Sequence, residues 1–338
     1  MERIAPNPKG RWIVGVDIGG TNVRAGLLDR EGHVLADARA EARAMEGPAA
    51  TLEQVAHVVS EAMEKGGARA EEVAGIGMGV AGRHDSAKGV CIFSPNFAGW
   101  VNVEITPAIE RRFGLATYML NDVKTATLGE HRFGAGRGKR HVVMITLGTG
   151  IGGGVISDGE IRLGSSEGFS EVGHHIVDMN GPECTCGSRG CWEAMAGRDA
   201  IIRRAVWKLQ DGRPSLIAER SGCDLSQITP ALIAQAAGEG DAVAREVLDE
   251  TGTIVGVGLS NLIQLYNPEV VIVGGGIAAA GDLLLEPARQ VVRTRAKMVP
   301  AETAEIVPAQ LGDDAGIVGG SVLVLLHLEG RGPGRRPE

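Results

Sequence analysis

The chain has 338 residues and a formal net charge of −8, and its apolar (43%) and charged (22%) fractions are those of a globular protein long enough for two domains. The acidic balance and the scarcity of aromatic residues (3%) exclude a nucleic-acid partner, which wants a basic face and stacking platforms. Met1–Gly10 lacks the apolar stretch of a signal peptide, and the run Ile317–Leu328 is too short and too interrupted by Gly319, Gly320, Ser321 and His327 to span a bilayer, so a soluble cytoplasmic protein with no membrane partner is expected.

The first strong signal is Trp12 to Asp29, which reads as strand, glycine turn, strand. An apolar run ends at Asp17, Gly19 and Gly20 follow, and Thr21-Asn22 opens a second apolar run. Without a Cβ, a glycine turn lets a ligand approach the backbone, and its free N–H groups suit an anion such as a phosphate. A plain hairpin with a Gly-Gly turn is the simpler reading. The flanking Asp17 and Thr21 favour a phosphate, with Asp17 holding a metal-bound water beside it.

His33 to Ala38 is a third strand, and Thr51-Leu52-Glu53-Gln54 reads as a capping box opening a helix that Gly66-Gly67 ends. Val73 to Val80 is a buried strand with interleaved glycines. Cys91 to Trp100 is a loop rich in turn formers, Ile105 to Phe113 a short helix, and Leu115 to Leu120 a strand ending at Asn121-Asp122. A helix follows from Val123 to Phe133.

Roughly 130 residues after its first appearance the opening pattern returns, a spacing that suits duplicated domains. His141 to Leu147 is a strand, Gly148 to Gly154 a glycine turn, and Val155 to Ile161 a strand with a second turn. Helices are expected over Glu193–Leu209, Pro230–Ala237, Asp241–Leu265, from Gly281-Asp282 to about Met298, and over Asp314–Leu328. Pro268–Val273, ending at Gly274-Gly275-Gly276, and Glu305–Pro308 are strands. The Gly/Pro/Arg tail over 330–338 is expected to be disordered. Alternating strands and helices give an α/β architecture with mixed sheets.

Two dinucleotide-like glycine patterns, Gly148-x-Gly150-x-x-Gly153 and Gly274-x-Gly276-x-x-Ala279, lack the helix or the acidic residue that the fingerprint needs. A Walker A loop is missing too, because Gly138-Lys139 is followed by Arg140. A nucleotide is therefore expected between two glycine hairpins, one per domain.

In combination the motifs resemble the ROK family of sugar kinases and repressors. Asp17-Ile18-Gly19-Gly20-Thr21-Asn22 resembles its phosphate motif, and Leu147 to Gly154 its second phosphate loop. Glu171-Val172-Gly173-His174 followed by Cys184-x-Cys186-Gly187-x-x-Gly190-Cys191-x-Glu193 is similar to its zinc and sugar signature. Gly274-Gly275-Gly276 with Ala280-Gly281-Asp282 resembles its adenosine-side motif. About ten residues precede the first strand, which points to the kinase branch rather than the repressors with their N-terminal helix-turn-helix. The resemblance implies two actin-like (ribonuclease H-like) α/β domains with mixed sheets flanked by helices and ATP in the interdomain cleft. The expected domains are 1–121, completed by the helix at 314–328, and 122–313, containing the zinc loop 174–191.

His174, Cys184, Cys186 and Cys191 make a closed four-ligand set for structural zinc, with His175 the rival ligand that the family spacing disfavours. For phosphoryl transfer, Gly19, Gly20, Thr21 and Asn22 with Gly148, Thr149 and Gly150 are expected to cradle ATP, Gly275 and Gly276 to lie on its adenosine side, and Asp17 to hold Mg²⁺ through water. Asp122 is the expected general base; alone it would read as a helix cap, but Asn121-Asp122 matches the family's catalytic pair. Asn96, Asn121, Asp122, Glu171, His174 and Glu193 match the sugar positions, and the Ser94-Pro95-Asn96-x-x-Gly99-Trp100 loop is similar to that of the family's glucokinases. The resemblance thus implies phosphorylation of glucose at its C6 hydroxyl by a homodimer or homotetramer. A kinase for mannose, fructose or an N-acetylated hexosamine, or a non-catalytic sugar sensor, is the alternative. Lys124 departs from the family pattern: a cation in a first helical turn opposes the helix dipole.

Overall fold

Two apolar runs rich in β-branched residues, joined by a Gly-Gly-Thr turn, pair antiparallel as β1 (Trp12–Ile18) and β2 (Asn22–Leu28) in the computed structural model, which describes residues 4–299 and 304–333. In chain order follow β3 (Val34–Glu41), α1 (Pro48–Lys65), β4 (Val73–Val80), β5 (Arg83–Asp85), β6 (Val90–Phe93), β7 (Val101–Glu104), α2 (Thr106–Phe113), β8 (Thr117–Asn121) and α3 (Asp122–Phe133). Then come β9 (Val142–Leu147), β10 (Ile151–Ser157), β11 (Glu160–Ile161), α4 (Trp192–Ala196), α5 (Arg198–Leu209), α6 (Leu216–Arg220), α7 (Pro230–Gly238) and α8 (Ala242–Tyr266). The chain finishes with β12 (Val270–Gly274), α9 (Asp282–Arg295), β13 (Glu305–Pro308) and α10 (Ala315–Leu328). Among the described residues no helix is long and apolar enough to cross a membrane.

The chain divides into two compact units. The first takes the residues up to Gly138, Ile161–Phe169 and those from Gln310 on; the second takes Lys139–Glu160 and Ser170–Ala309. The first unit thus runs past Asn121, where a boundary was expected, because α3 packs along α10. Its main sheet has the order β3-β2-β1-β4-β8, with β1, β4 and β8 parallel. A small antiparallel sheet, β5-β6-β7, belongs to the same unit. The sheet of the second unit is β11-β10-β9-β12-β13, with β9, β12 and β13 parallel. Each unit therefore places a meander beside two further parallel strands, so the duplication legible as a glycine pattern is also a duplication of topology. The α/β class with mixed, helix-flanked sheets is the one expected.

The interleaved glycines of β1 and β4 have a packing cause. A Cβ on Gly15 would lie 1.8 Å from the Ile317 carbonyl oxygen, and one on Gly77 would lie 1.9 Å from that of Gly320. Helix α10, buried from Ala315 to Leu325, thus rests directly on strand backbone.

Some local expectations change. Helix α1 begins at Pro48, whose fixed φ suits a first helical position, after Gly47 at φ 94°. Thr51 therefore lies inside the helix, fully buried, and its hydroxyl packs instead of capping. Cys91, Ile92 and Phe93, expected in a loop, belong to β6, so the turn proper is Ser94–Trp100. Ile151 to Gly154, expected in the turn, already belong to β10. The helix expected over Glu193–Leu209 is broken at Gly197, where a Cβ would lie 2.8 Å from the Glu193 carbonyl oxygen and 3.2 Å from that of Thr149. Residues 334–338 of the expected disordered tail lie outside the described residues.

Candidate active site

In the first unit the expected site residues gather at the carboxyl ends of the parallel strands, where ligands of open α/β sheets bind. Asp17 ends β1 beside Ile18, Asn121 ends β8, and Asp122 opens α3. The helix is capped by Asn121, whose Oδ1 accepts the N–H groups of Val123 (3.1 Å) and Lys124 (3.3 Å). Its Nδ2 donates to the Gly82 carbonyl at 3.4 Å. The cap role that Asp122 would have as an isolated residue thus falls to its neighbour.

Asp17 and Asp122 feel each other. Burial, then the charge of Asp122, pushes the Asp17 carboxyl up to about 6, against a smaller opposing pull from Arg24. Arg24, opposite Asp17 in the β1–β2 register, was not singled out from sequence; strand pairing is the signal that finds it. It is held by Asp37 (3.1 Å) and Asp314 (2.7 Å). A Cβ on Gly316 would lie 2.6 Å from Asp17 Cγ, so the first turn of α10 closes over this carboxylate.

Asn96 rides on a turn fixed from below. Phe97 and Trp100 are buried and stack with ring centroids 4.3 Å apart, and the Ala98 N–H donates to the Ala44 carbonyl at 2.9 Å. The β1–β2 hairpin touches this turn: a Cβ on Gly20 would lie 3.4 Å from Asn96 Cβ. Within the hairpin the Gly19 N–H donates to the Asn22 carbonyl at 3.0 Å.

The second unit repeats the arrangement. The Gly148 N–H donates to the Gly150 carbonyl at 2.9 Å, closing the turn, and space above Gly148 is open. Glu193 Oε2 accepts the Ile151 N–H at 2.9 Å and lies 2.1 Å from where a Gly150 Cβ would be. Beyond the break at Gly197, the Arg198 N–H donates to the Gly148 carbonyl at 3.0 Å. Gly275, at φ 88°, sits against Leu147 just before that turn, 2.3 Å from its carbonyl oxygen to a built Cβ, while space above Gly276 is open.

Glu171 and His174 flank a short helical turn, with the His174 N–H donating to the Glu171 carbonyl at 3.2 Å. The ligand atoms of His174, Cys184, Cys186 and Cys191 all lie within 4.8 Å of one another. His174 Nδ1 is 3.7 Å from Cys184 Sγ, and Cys186 Sγ is 3.6 Å from Cys191 Sγ. One nitrogen and three sulfurs at these separations fit a tetrahedral ion. Gly190, at φ 69°, makes the loop possible, since a Cβ there would lie 1.6 Å from the Asp178 carbonyl oxygen. His175 turns away: its Nδ1 bonds the Val172 carbonyl and its ring lies 5.2 Å from that of Trp192. Trp192 is fully buried, donates Nε1–H to the Ile254 carbonyl at 3.2 Å, and pins the loop to α8 at Gly258.

The site residues inferred from sequence thus fall into two sets. Asp17, Gly19 to Asn22, Asn96, Asn121 and Asp122 belong to the first unit; Gly148 to Gly150, Glu171, His174, Glu193, Gly275, Gly276 and the three cysteines belong to the second.

The model of the ROK family matches residues 13–326. The glucokinase of Thermotoga maritima is 35% identical over 318 residues, covering 94% of this chain and 98% of that protein. A ROK family glucokinase from Streptomyces griseus, solved in complex with glucose and AMPPNP, superposes with a TM-score of 0.81 at 34% identity, covering 92% of this chain and 98% of that one. The xylose repressor of Caldicellulosiruptor bescii is 28% identical, with 94% of this chain matching 78% of that protein. A family match across nearly the whole chain, which includes both glycine hairpins and the thiol cluster, makes this chain a member of the ROK family.

Proposed function

We propose that this chain transfers the γ-phosphoryl group of ATP to the C6 hydroxyl of glucose, giving glucose 6-phosphate and ADP. The observation that carries this reading is a pairing made in each unit. Asn96 lies against Gly20, and Glu193 against Gly150, so a residue suited to a sugar hydroxyl borders a turn suited to a phosphate. Full-length relatives named glucokinase support the choice of sugar.

Asp122 accepts the proton of the C6 hydroxyl as that oxygen attacks the γ-phosphorus and the bond to the bridging oxygen of ADP breaks. It follows the capping residue Asn121 as the first residue of α3, and its charge acts on Asp17 at the end of β1. Asn96, Asn121, Glu171, His174 and Glu193 hold the sugar; a buried hydroxyl needs a directed partner to replace water. Asn121 keeps one amide N–H for this work, since its oxygen caps α3 and its other N–H bonds the Gly82 carbonyl, and Glu193 keeps Oε1, since Oε2 holds Ile151. Gly19 to Asn22 and Gly148 to Gly150 bind the phosphates through backbone N–H groups, and Gly275 and Gly276 adjoin the adenosine.

Asp17 fits a divalent cation, because a positive charge there relieves the burial and repulsion that raise its carboxyl. Bound Mg²⁺ would neutralise phosphate charge. His174, Cys184, Cys186 and Cys191 would hold a structural zinc ion with four protein ligands, and with His174 Nδ1 facing Cys184 its Nε2 would remain for the sugar. Family likeness supports a cytoplasmic glycolytic enzyme that assembles as a homodimer or homotetramer.

The repressor relative favours one second reading, a sensor that binds sugar without turnover. An ADP-release assay over glucose, mannose, fructose and N-acetylglucosamine separates the readings. Glucose is expected to give the highest kcat/KM. Better turnover of another sugar overturns the choice of glucose, and turnover of none overturns the kinase.

A further inference from the structure

After Glu160 of β11 the chain leaves the second unit, gives Ile161–Phe169 to the first, and returns to the second at Ser170, one residue before Glu171. This strap is a closed loop. The Phe169 N–H donates to the Leu163 carbonyl at 3.0 Å, and a Cβ on Gly164, at φ 73°, would lie 3.3 Å from the Cβ of Phe169. Glu167 fastens the loop to the small sheet: its Oε1 accepts both the Ser86 N–H at 2.9 Å and the Ser86 hydroxyl at 2.7 Å. Bonds to an ionised acceptor are roughly twice as strong as those between neutral groups.

Ser86 is a firm anchor. It is buried in the turn between β5 and β6, which the Gly89 N–H closes by donating to the Asp85 carbonyl at 2.9 Å. The Gly89 carbonyl in turn accepts the N–H groups of Ile105 (2.9 Å) and Thr106 (3.2 Å), which ties the turn to the start of α2. The approach is close enough that a Cβ on Gly89 would lie 1.7 Å from Thr106 Oγ1.

The strap and its exit hold two non-glycine residues in the left-handed region, Glu167 at φ 60° and Ser170 at φ 64°. A side chain makes that conformation costly, so it persists only where the surroundings hold it. Ser170 has its hydroxyl on the Gly153 carbonyl at 2.9 Å, and Glu167 has its two bonds to Ser86. Glu171 follows directly. We propose that Glu167 is a positioning residue: by clasping Ser86 it keeps the strap in the shape that delivers Glu171 to the sugar. The inference rests on the reading of Glu171 as a sugar ligand. A misplacement of about 1 Å in such a constellation is costly.

The test compares Glu167→Ala, which removes the acceptor, with Glu167→Gln, which keeps an acceptor oxygen in place. Glu167→Ala is expected to raise KM for glucose about fivefold or more, with KM for ATP and kcat each within about threefold of wild type. Glu167→Gln is expected to restore KM for glucose to within about twofold of wild type. A smaller rise in the alanine variant overturns the proposal, as does a parallel loss in all three constants or a glutamine variant no better than alanine. Should Glu167→Ala not fold, Ser86→Ala decides, since it removes the hydroxyl bond and leaves the N–H bond. It is expected to raise KM for glucose alone, by about threefold or more, and a smaller rise overturns the proposal. Glu171→Ala with an unchanged KM for glucose would instead sink the parent reading of Glu171.

Discussion

Glu193 holds the backbone of Ile151: its Oε2 accepts that N–H at 2.9 Å, and only the absence of a Gly150 side chain lets the carboxylate in so close. The residue proposed to hold the sugar and the turn proposed to hold phosphate are thereby fastened together. Glu193→Ala is expected to lower kcat/KM for glucose by about 100-fold and to raise KM for ATP as well, since a charge-assisted bond of about 1.5–3 kcal/mol is lost. Steady-state kinetics with each substrate varied checks this; a variant with unchanged ATP kinetics would separate Glu193 from the turn.

The glycines divide into those that pack and those that leave room. Gly15→Ala forces a methyl group to 1.8 Å from the Ile317 carbonyl oxygen, so a loss of about 3 kcal/mol or more, or failure to fold, is expected in urea unfolding. Gly148→Ala meets nothing within 4 Å, and this glycine is outside the positive-φ set, so stability is expected to change by less than about 1 kcal/mol while KM for ATP rises at least about tenfold. Equal stability losses in both variants contradict this division.

Asp17 gives the fold a pH signature. Its folded carboxyl, at about 6, is raised above the ordinary 3.8, so the folded state holds a proton that the unfolded chain has released. Between pH 4 and 6 stability therefore falls as pH rises, and above about 6 the full cost of a buried anion, on the order of 2–3 kcal/mol, is present. In metal-free protein Asp17→Asn is expected to be more stable than wild type at pH 8, with the gap closing towards pH 4. Chemical unfolding across that range measures it, and a gap independent of pH removes Asp17 as its source.

For the thiol cluster, purified protein is expected to carry about one zinc per chain, and a Cys184→Ser, Cys186→Ser double variant none. The double variant should lose thermal stability and glucose affinity together, because the loop also carries Glu171 and His174. Elemental analysis and thermal melts check both; zinc-free native protein with full glucose affinity contradicts the assignment.

The hairpins, the long helices and the thiol cluster were legible because each is a local pattern: two apolar runs around a glycine turn, a capped amphipathic run, cysteines within eight positions. What was not legible depends on distant partners. Thr51 reads as a cap until Pro48 starts the helix a turn earlier and the hydroxyl is buried. Asn121 takes the cap from Asp122 because its side chain folds back over α3. Lys124 has the look of a solvated residue, yet the fold buries it in the first turn of α3. The break at Gly197 answers to the Thr149 carbonyl, far away in sequence.

The central claim is that Asp122 draws the proton from the C6 hydroxyl of glucose, and Asp122→Asn tests it most directly when turnover and binding are measured side by side. The account predicts a fall in kcat of about a thousandfold, with glucose affinity by calorimetry within a few-fold of wild type. Turnover within about tenfold of wild type would contradict it.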